Sequence, residues 1–255
     1  MKMNLTGRIA LITGATSGIG AATARRMSGL GMKIIACGRR VEKLASLKAE
    51  LGEENVLTLQ FDVRNENEVN QALNHLPEAW RNIFLLVNNA GNAHGLGSIQ
   101  DGDTVDWDTM IDVNVKGLLY VSKCILPGMI ERNTGHIVNI GSIAGKEVYP
   151  NGGVYCASKH AVDAINKGMR LDLNPYEIRV SAIHPGLVET EFSLVRFKGD
   201  AERSESVYQG YSPLQADDIA DTLEFMVTRP AHVNVADVLI LPTAQAASTT
   251  VRKSI

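Results

Sequence analysis

Short apolar runs alternate with helical patterns along most of the chain, and this alternation constrains the fold more than any other feature. Short apolar runs followed by helical patterns are typical of parallel β-α units. In such units the ligand lies at the carboxyl ends of the strands. The pattern therefore predicts an α/β domain, with strands near residues 8–13, 33–37, 56–61, 83–87, 136–140, 179–183 and 235–241.

Length and composition favour one globular enzyme-sized domain. The chain has 255 residues, 45% of them hydrophobic and 21% charged, with a net charge of −3. These values suit one large domain and indicate neither a nucleic-acid nor a membrane surface. We expect no signal peptide and no run long enough to span a bilayer. The cysteines are odd in number and scattered along the chain, at Cys37, Cys124 and Cys156. This pattern predicts reduced thiols and a cytoplasmic location.

A glycine-rich turn follows the first predicted strand. Residues 14–20 read GATSGIG and lead into a helical pattern. Glycines let a backbone approach a pyrophosphate closely, and the amides at a helix start point at the anion. The Gly-x-x-x-Gly-x-Gly spacing differs from the commoner Gly-x-Gly-x-x-Gly, and a simple tight turn is the alternative. The position directly after a strand favours a dinucleotide site.

The ends of the next strands carry further candidate ligands. Arg39 and Arg40 follow the second run, and guanidinium forks match a 2′-phosphate, which favours NADP over NAD; the alternative is the start of an exposed helix. Asp62 follows the third run and either accepts a hydrogen bond from adenine or caps the next helix. The segment 88–91 follows the fourth run as Asn-Asn-Ala-Gly, whose small residues permit close approach to a ligand.

Tyr155 and Lys159 are four residues apart, so a helix would place both side chains on one face. An ammonium beside a phenol lowers the pKa of the phenol, which makes a general acid/base for an alcohol oxygen. Ser142 follows the fifth run, where its hydroxyl would hold a substrate oxygen. The alternative for Tyr-x-x-x-Lys is a solvated helix face.

Three remaining features are less specific. Asn114 lies among apolar residues in a long helical pattern, so it needs a partner, either a backbone carbonyl or a water leading to Lys159. His184 has no histidine or cysteine at ligand spacing and is interpreted as structural, without a metal site. Residues 192–211 are polar and irregular, and we expect a mobile loop. The tail, 242–255, either is disordered or packs on a neighbouring subunit.

Taken together and in order, these motifs resemble the short-chain dehydrogenase/reductase family. The shared pattern is Thr-Gly-x-x-x-Gly-x-Gly at 13–20, Asn-Asn-Ala-Gly at 88–91, Asn114, Ser142, Tyr155-x-x-x-Lys159 and Pro185-Gly186, and the resemblance covers residues 7 to about 241. It implies one Rossmann-type doubly wound domain over residues 1–255, with a seven-stranded parallel sheet flanked by helices. It also implies NADP-dependent hydride transfer and a homotetramer.

By position, the resemblance implies a role for each motif residue. Tyr155 would be the acid/base, Lys159 would bind the nicotinamide ribose, Ser142 would orient the substrate oxygen and Asn114 would support a proton relay. The cofactor would contact Gly14, Thr16, Ser17, Gly18, Ile19, Gly20, Arg39, Arg40, Asp62, Val63, Asn89, Ala90, Gly91, Tyr155, Lys159, Pro185, Gly186, Val188 and Thr190.

A narrower likeness concerns the substrate. Gly38-Arg39-Arg40, residues 107–112, 126–129, 195–200 and 230–234 look like NADP-dependent 3-hydroxy acid (serine) dehydrogenases. That branch acts on short hydroxy acids, and close relatives reduce sulfoacetaldehyde to isethionate. Arg196 suits such an anionic head, and Tyr149 would donate a second hydrogen bond. The alternative for Arg196 is a surface ion pair.

Two other function classes are disfavoured. Ketoacyl reductases usually carry a Val-Asp-Gly-Gly-like segment after the last strand, whereas this chain has Leu-Pro-Thr-Ala-Gln at 241–245. Non-catalytic NADP-binding regulators tend to lose the tyrosine or the lysine, and both are present. The sequence leaves carboxylate and sulfonate substrates, and the direction of the reaction, open.

Overall fold

Seven parallel strands form a single sheet in the computed structural model, which describes residues 2–254. Their order is β3-β2-β1-β4-β5-β6-β7. The Rossmann-type architecture and every predicted strand position are confirmed. The strands are β1 (Ile9–Thr13), β2 (Lys33–Gly38), β3 (Val56–Gln60), β4 (Ile83–Asn88), β5 (Gly135–Ile140), β6 (Ile178–Pro185) and β7 (Asp237–Ile240).

The connecting segments are mostly helical. Polar side chains fix several starts: Asn65 caps α3, Asp103 caps α4, and Gln215 with Asp218 forms a capping box at α9, as expected for these residue types. The helices are α1 (Gly18–Gly29), α2 (Val41–Leu51), α3 (Glu66–Asn74), α4 (Thr104–Ile111), α5 (Leu118–Glu131), α6 (Gly153–Asp172), α7 (Phe192–Arg196), α8 (Ala201–Ser206) and α9 (Ala216–Val227).

The sheet separates two hydrophobic cores. Strands β1, β2, β4, β5 and β6 are buried at almost every position, because helices cover both faces of a parallel sheet. One core includes residues of α1, α2 and α9, and the other includes residues of α3, α5 and α6. The strand order reverses between β1 and β4, and ligands of such sheets bind in the crevice at that switch point.

The helical run from Thr104 to Glu131 has 28 residues and is long and apolar enough, by length and composition alone, to cross a membrane. The expectation that no run has this length was therefore wrong. Here Leu118, Val121 and Ile125 of this run lie in the core beside the sheet. Core helices pass the same test of length and composition, and the contacts of this run are those of a core helix.

Two segments differ from the sequence-based description. Residues 192–211, predicted to be irregular, contain α7 and α8; the mobility of this segment remains a prediction. The tail packs on its own chain, since the Gln245 side chain accepts a hydrogen bond from Leu187 N at 2.9 Å and Ser254 N donates to Gly210 O at 2.7 Å. Neither disorder nor an intersubunit contact is needed to place residues 242–254.

Candidate active site

The glycine-rich turn forms a cradle at the carboxyl end of β1. Gly14 and Gly18 have φ values of +66° and +49°, a region that strongly favours glycine. A Cβ atom on Gly20 would lie 2.3 Å from the carbonyl oxygen of Gly14. The turn therefore depends on glycine, and it leads into the start of α1, the layout that a pyrophosphate site requires.

The ends of β1 and β4 are joined by side-chain hydrogen bonds. The Thr13 hydroxyl accepts hydrogen bonds from the backbone amides of Asn89 and Ala90, both at 3.0 Å. Asn89 Nδ2 donates to Thr13 O and Gly14 O at 2.9 and 3.2 Å. Asn89, predicted as a cofactor contact, thus also holds the glycine-rich turn in place. The motif gave no role for Thr13, whose hydroxyl joins the end of β1 to the end of β4.

Arg39 and Arg40 lie at the mouth of this cradle in different environments. Arg40 donates to Thr16 Oγ1 at 3.1 Å and to Glu191 at 2.9 Å. The Arg39 side chain is 66% exposed, with Asp62 at 3.6 Å. Arg39 is thus the freer cation for an incoming phosphate, whereas Arg40 organises the turn.

Arg64 is a residue of this region that the sequence analysis missed. Its guanidinium donates two hydrogen bonds to Asp62 Oδ2, at 2.7 and 3.0 Å. Burial raises the pKa of Asp62, but the hydrogen bonds from Arg64 and the charges of Arg64 and Arg39 together outweigh it, so the pKa is below its usual value. Asp62 is therefore an ionised acceptor at the expected adenine position. Arg64 lies two residues after Asp62, and this spacing is the only feature of the sequence that could have pointed to it.

The remaining predicted cofactor residues line the same edge. Thr190 packs against Gly18, Val63 packs against Gly117, and Gly91 lies beside Asn114 and Lys159. Val188 forms an isolated bridge with Leu214. The other members of this edge are Ser17, which is the N-cap of α1, Ile19, and the Pro185-Gly186 pair at the end of β6.

Helix α6 brings Tyr155 and Lys159 onto one buried face, with 8% and 5% of their surfaces exposed. The alternative of a solvated helix face is therefore wrong. Lys159 Nζ donates to Ile140 O at 3.0 Å, just before Ser142. Burial lowers the pKa of Lys159 to about 8. Tyr155, Lys159 and Ser142 thus meet at the carboxyl end of β5.

The pKa of Tyr155 is raised above its usual value, opposite to the expectation from the Tyr–Lys spacing. Burial is the largest cause, and the hydrogen bond with Ser142 and the charge of Arg196 oppose it. Burial outweighs both because removing a phenolate from water is costly. The phenol is therefore the stable form at neutral pH, so Tyr155 is poised to donate a proton.

Asn114 lies in a π-helical turn, Asp112–Gly117, between α4 and α5. Its Nδ2 donates to Asn92 O at 2.8 Å and to Ser158 Oγ at 3.0 Å, and its Oδ1 accepts from Asn92 N at 2.8 Å. Of the two partners expected for this amide, the backbone carbonyl is present. Isolated π turns are often found at functional sites, and this one connects Asn114 to the α6 helix through Ser158.

Arg196 reaches over the site from α7. Its Nη1 donates to the Tyr149 hydroxyl at 3.0 Å and its Nε to Gly95 O at 3.3 Å. Its guanidinium carbon lies 5.6 Å from the centre of the Tyr155 ring. Within residues 2–254 Arg196 therefore bonds to a tyrosine and a backbone carbonyl, and the alternative of a surface ion pair is wrong. Tyr149, Tyr155 and Arg196 form one group.

A cavity of about 200 Å³ opens beside this group. Tyr155 and Arg196 line it together with Trp107, Met110 and Val154. Asp101, Asp103 and Asp106 also line it, and Lys198 pairs with the last two. The Phe192 ring covers Tyr155 at a centroid distance of 5.7 Å. Most drug-sized ligand sites measure about 300–1,000 Å³, so this cavity suits a smaller molecule.

Comparisons with known proteins agree with this geometry. The family model described as short chain dehydrogenase matches residues 8–200. The chain is 49% identical over 238 residues to an NADP-dependent 3-hydroxy acid dehydrogenase of Salmonella typhi, covering 93% of this chain and 96% of that one. It is 47% identical over 240 residues to sulfoacetaldehyde reductase 2 of Chromohalobacter salexigens, covering 93% and 95%.

Solved structures give the same result. A closed form of serine dehydrogenase complexed with NADP+ aligns with a TM-score of 0.92 and 46% identity, over 94% of this chain and 97% of that one. Serine dehydrogenase from Escherichia coli aligns with a TM-score of 0.82 and 42% identity, over 93% and 99%. The cradle around Gly20 fits such a dinucleotide. The chain belongs to the short-chain dehydrogenase family, as an NADP-dependent oxidoreductase acting on a CH–OH group.

Proposed function

We propose that this enzyme interconverts a short anionic aldehyde or ketone and its hydroxy acid, of the 3-hydroxy acid, serine or 3-hydroxypropionate type. The observation that carries the proposal is the position of Arg196, 5.6 Å from the Tyr155 ring at a cavity of about 200 Å³. One guanidinium at this distance would bind the carboxylate of the substrate. The carbonyl two or three atoms away would then place its oxygen beside the Tyr155 hydroxyl. The similarity to a 3-hydroxy acid dehydrogenase supports this substrate class.

Each side chain then has a part in the reaction. Bound NADP(H) supplies or accepts the hydride. In the reducing direction Tyr155 donates its phenolic proton to the substrate oxygen, and the Ser142 hydroxyl holds that oxygen. Lys159 provides positive charge beside the developing alkoxide, where preorganised groups contribute most. The Asn114 amide donates hydrogen bonds to the backbone of Asn92 and to the Ser158 hydroxyl, and these bonds link the residue 92 segment to α6 beside the site.

A second candidate is the reduction of 2-sulfoacetaldehyde to isethionate. Tyr149 favours it, because its hydroxyl lies 3.0 Å from Arg196 and adds a polar group at the anion position. A sulfonate has three acceptor oxygens and needs more donors than a planar carboxylate. The 47% identity to a sulfoacetaldehyde reductase supports this alternative.

The first experiment is a side-by-side assay of NADPH oxidation with malonic semialdehyde and sulfoacetaldehyde, followed by the decrease in nicotinamide absorbance. We expect the higher kcat/KM with malonic semialdehyde, and NADP-linked oxidation of 3-hydroxypropionate or serine in reverse. A marked preference for the sulfonate would replace the first proposal with the second. Activity on propanal equal to both would contradict an anionic substrate.

Arg39 is the residue we expect to select NADPH. Replacing Arg39 with glutamine should weaken NADPH about 10- to 100-fold, since a charged hydrogen bond contributes about 1.5–3 kcal/mol, and should leave NADH nearly unchanged. Titration of cofactor fluorescence measures both affinities. Arg25→Gln is the control, because Arg25 on α1 is another half-exposed arginine and pairs with Glu50 on α2. Equal losses for the two cofactors would remove Arg39 from the 2′-phosphate site.

We also propose a homotetramer in the cytoplasm. Exposed apolar side chains lie on two separate surfaces, Leu119 and Leu171 on α5 and α6, and Phe225 and Leu239 on α9 and β7. Two such surfaces are what two kinds of subunit contact require. The three cysteines are free, as expected in a reducing compartment. Sedimentation equilibrium would measure the subunit number.

A further inference from the structure

His184 is a buried titratable side chain that the proposed reaction does not use. It lies in β6 with no exposed surface. Its Nδ1 is 3.3 Å from the backbone carbonyl oxygen of Ser142. A Cβ atom on Gly141 would lie 2.4 Å from the same nitrogen. The imidazole is therefore pressed against the two residues that connect β5 to the serine-bearing turn.

The other edge of the imidazole faces a cluster of charged residues. His184 Nε2 lies 3.3 Å from Asp237 and 3.7 Å from Asp163. Lys146 donates to both carboxylates, at 2.8 Å to Asp163 and 2.9 Å to Asp237. Lys167 donates to the second oxygen of Asp163 at 2.6 Å. The cluster thus joins β6, β7, α6 and the segment that follows Ser142.

The hydrogen-bond geometry indicates which ring nitrogen of His184 carries the proton. Burial lowers the pKa of His184 and the charge of Lys146 acts in the same direction, while Asp237 and Asp163 oppose them. A neutral imidazole has a single N–H. Nε2 lies 3.3 Å from Asp237, but within residues 2–254 it has no partner with hydrogen-bond geometry. Nδ1 has such a partner in Ser142 O, and a carbonyl oxygen can only accept. We therefore assign the N–H to Nδ1, as a donor to the Ser142 carbonyl.

The same cluster has the geometry of a cation site. Asp163, His184 and Asp237 offer ligand atoms within 4.8 Å of one another. The Lys146 ammonium, however, is within hydrogen-bond distance of both carboxylates. Lys146 and Lys167 together balance the charges of the two carboxylates, so the cluster acts as a support rather than as a metal site.

We propose that His184 is a positioning residue for Ser142, with the Lys146–Asp163–Asp237 cluster packed against the other edge of the imidazole. The hydrogen bond from Nδ1 fixes the Ser142 carbonyl, and with it the direction of the serine hydroxyl toward Tyr155. The inference rests on the proposed function, because it assumes that the Ser142 hydroxyl holds the substrate oxygen. A displacement of about 1 Å in such a group costs about 100-fold in rate.

Two substitutions of similar size separate the hydrogen bond from simple packing. The amide nitrogen of asparagine reaches the position of Nδ1, whereas that of glutamine reaches only the position of Nε2. We expect His184→Gln to lower kcat at least about tenfold and His184→Asn to lower it less than about threefold, since only the first loses the bond to Ser142. The KM for NADPH should not change in either variant. Thermal unfolding of both variants measures their stability.

Ser142→Ala and the double variant Ser142→Ala/His184→Gln complete the experiment. If His184 acts through Ser142, His184→Gln should add little to Ser142→Ala. A Ser142→Ala enzyme as active as the native one would contradict the proposed role of Ser142. A slow Ser142→Ala enzyme beside a fully active His184→Gln enzyme would overturn only the role of His184. Equal losses in the Asn and Gln variants, with equal losses of stability, would overturn it too.

One measurement needs no variant. In the native enzyme with ¹⁵N-labelled histidine, NMR should find the proton of His184 on Nδ1. A proton on Nε2 would overturn the proposal, because the ring would then have no donor for the Ser142 carbonyl.

Discussion

Replacing Tyr155 with phenylalanine should lower kcat about 10³-fold, because a positioned general acid contributes about 10²- to 10⁴-fold. The substitution removes one oxygen from a side chain that is 8% exposed and leaves its ring packed against Phe192. NADPH affinity should change less than about tenfold, since one neutral hydrogen bond contributes about 1 kcal/mol. Single-turnover kinetics and cofactor titration would measure the two effects separately.

Tyr149→Phe is the matched control for this variant. Tyr149 is a second, partly buried tyrosine of the same site, and its hydroxyl contacts Arg196. Its loss should raise the KM for the substrate and leave kcat within about a factor of ten. Near-normal turnover by Tyr155→Phe would remove Tyr155 from the acid/base role. Because both substitutions keep the ring, an equal fall in kcat for both variants would mean that the Tyr155 hydroxyl has no role beyond that of the Tyr149 hydroxyl.

The pH profile provides an independent readout of the same role. Reduction needs the phenol, which the raised pKa of Tyr155 keeps as the major form at neutral pH. Reductive kcat should therefore be flat near neutrality and fall only at alkaline pH. Oxidation needs the phenolate, so the oxidative kcat should rise as the pH increases into the alkaline range. Both dependences should disappear in Tyr155→Phe.

The fold and the main site residues could be predicted because they follow from local patterns. An apolar run such as residues 136–140 has few alternatives to a buried strand, and the glycines at 14–20 need only their own backbone conformation. Parallel strands place their carboxyl ends at one edge, so residues far apart in the chain, such as Arg39 and Ser142, can be assigned to one face of the molecule without coordinates.

The features of the site that could not be predicted depend on contacts between distant segments of the chain. The raised pKa of Tyr155 results from burial, which the spacing to Lys159 does not reveal. The helices of the 192–211 segment form against the site, where Lys198 pairs with Asp106 at 2.9 Å and Gly95 N donates to Arg196 O at 2.9 Å. The role of His184 required knowing that β6 places it under Ser142. Each of these depends on long-range packing rather than on local pattern.

Arg196→Met should lower kcat/KM for malonic semialdehyde or sulfoacetaldehyde about 10- to 100-fold. The reason is that a charged hydrogen bond of about 1.5–3 kcal/mol to the anionic head is lost. Methionine keeps most of the apolar stem that packs beside Tyr149 and Tyr155. A neutral aldehyde such as propanal makes no such bond, so its kcat/KM should change less than about threefold. Steady-state kinetics with the three aldehydes measures the effect.

Lys198→Met separates charge at the site from charge on the covering segment. Lys198 follows α7, its side chain is 56% exposed, and it pairs with Asp106 rather than with the Arg196 group. Lys198→Met removes the same charge two residues away and leaves Asp106, which lines the cavity, without its ion pair. Any general loss of attraction for an anion should therefore be at least as large as in Arg196→Met, while the direct contact is lost only in Arg196→Met. If Lys198→Met discriminated against the anionic aldehydes equally, general electrostatics would explain the preference. If Arg196→Met slowed propanal as strongly as the anions, Arg196 would serve only to hold α7 against Gly95 and Tyr149. A selective loss confined to Arg196→Met would identify this guanidinium as the group that binds the anionic head.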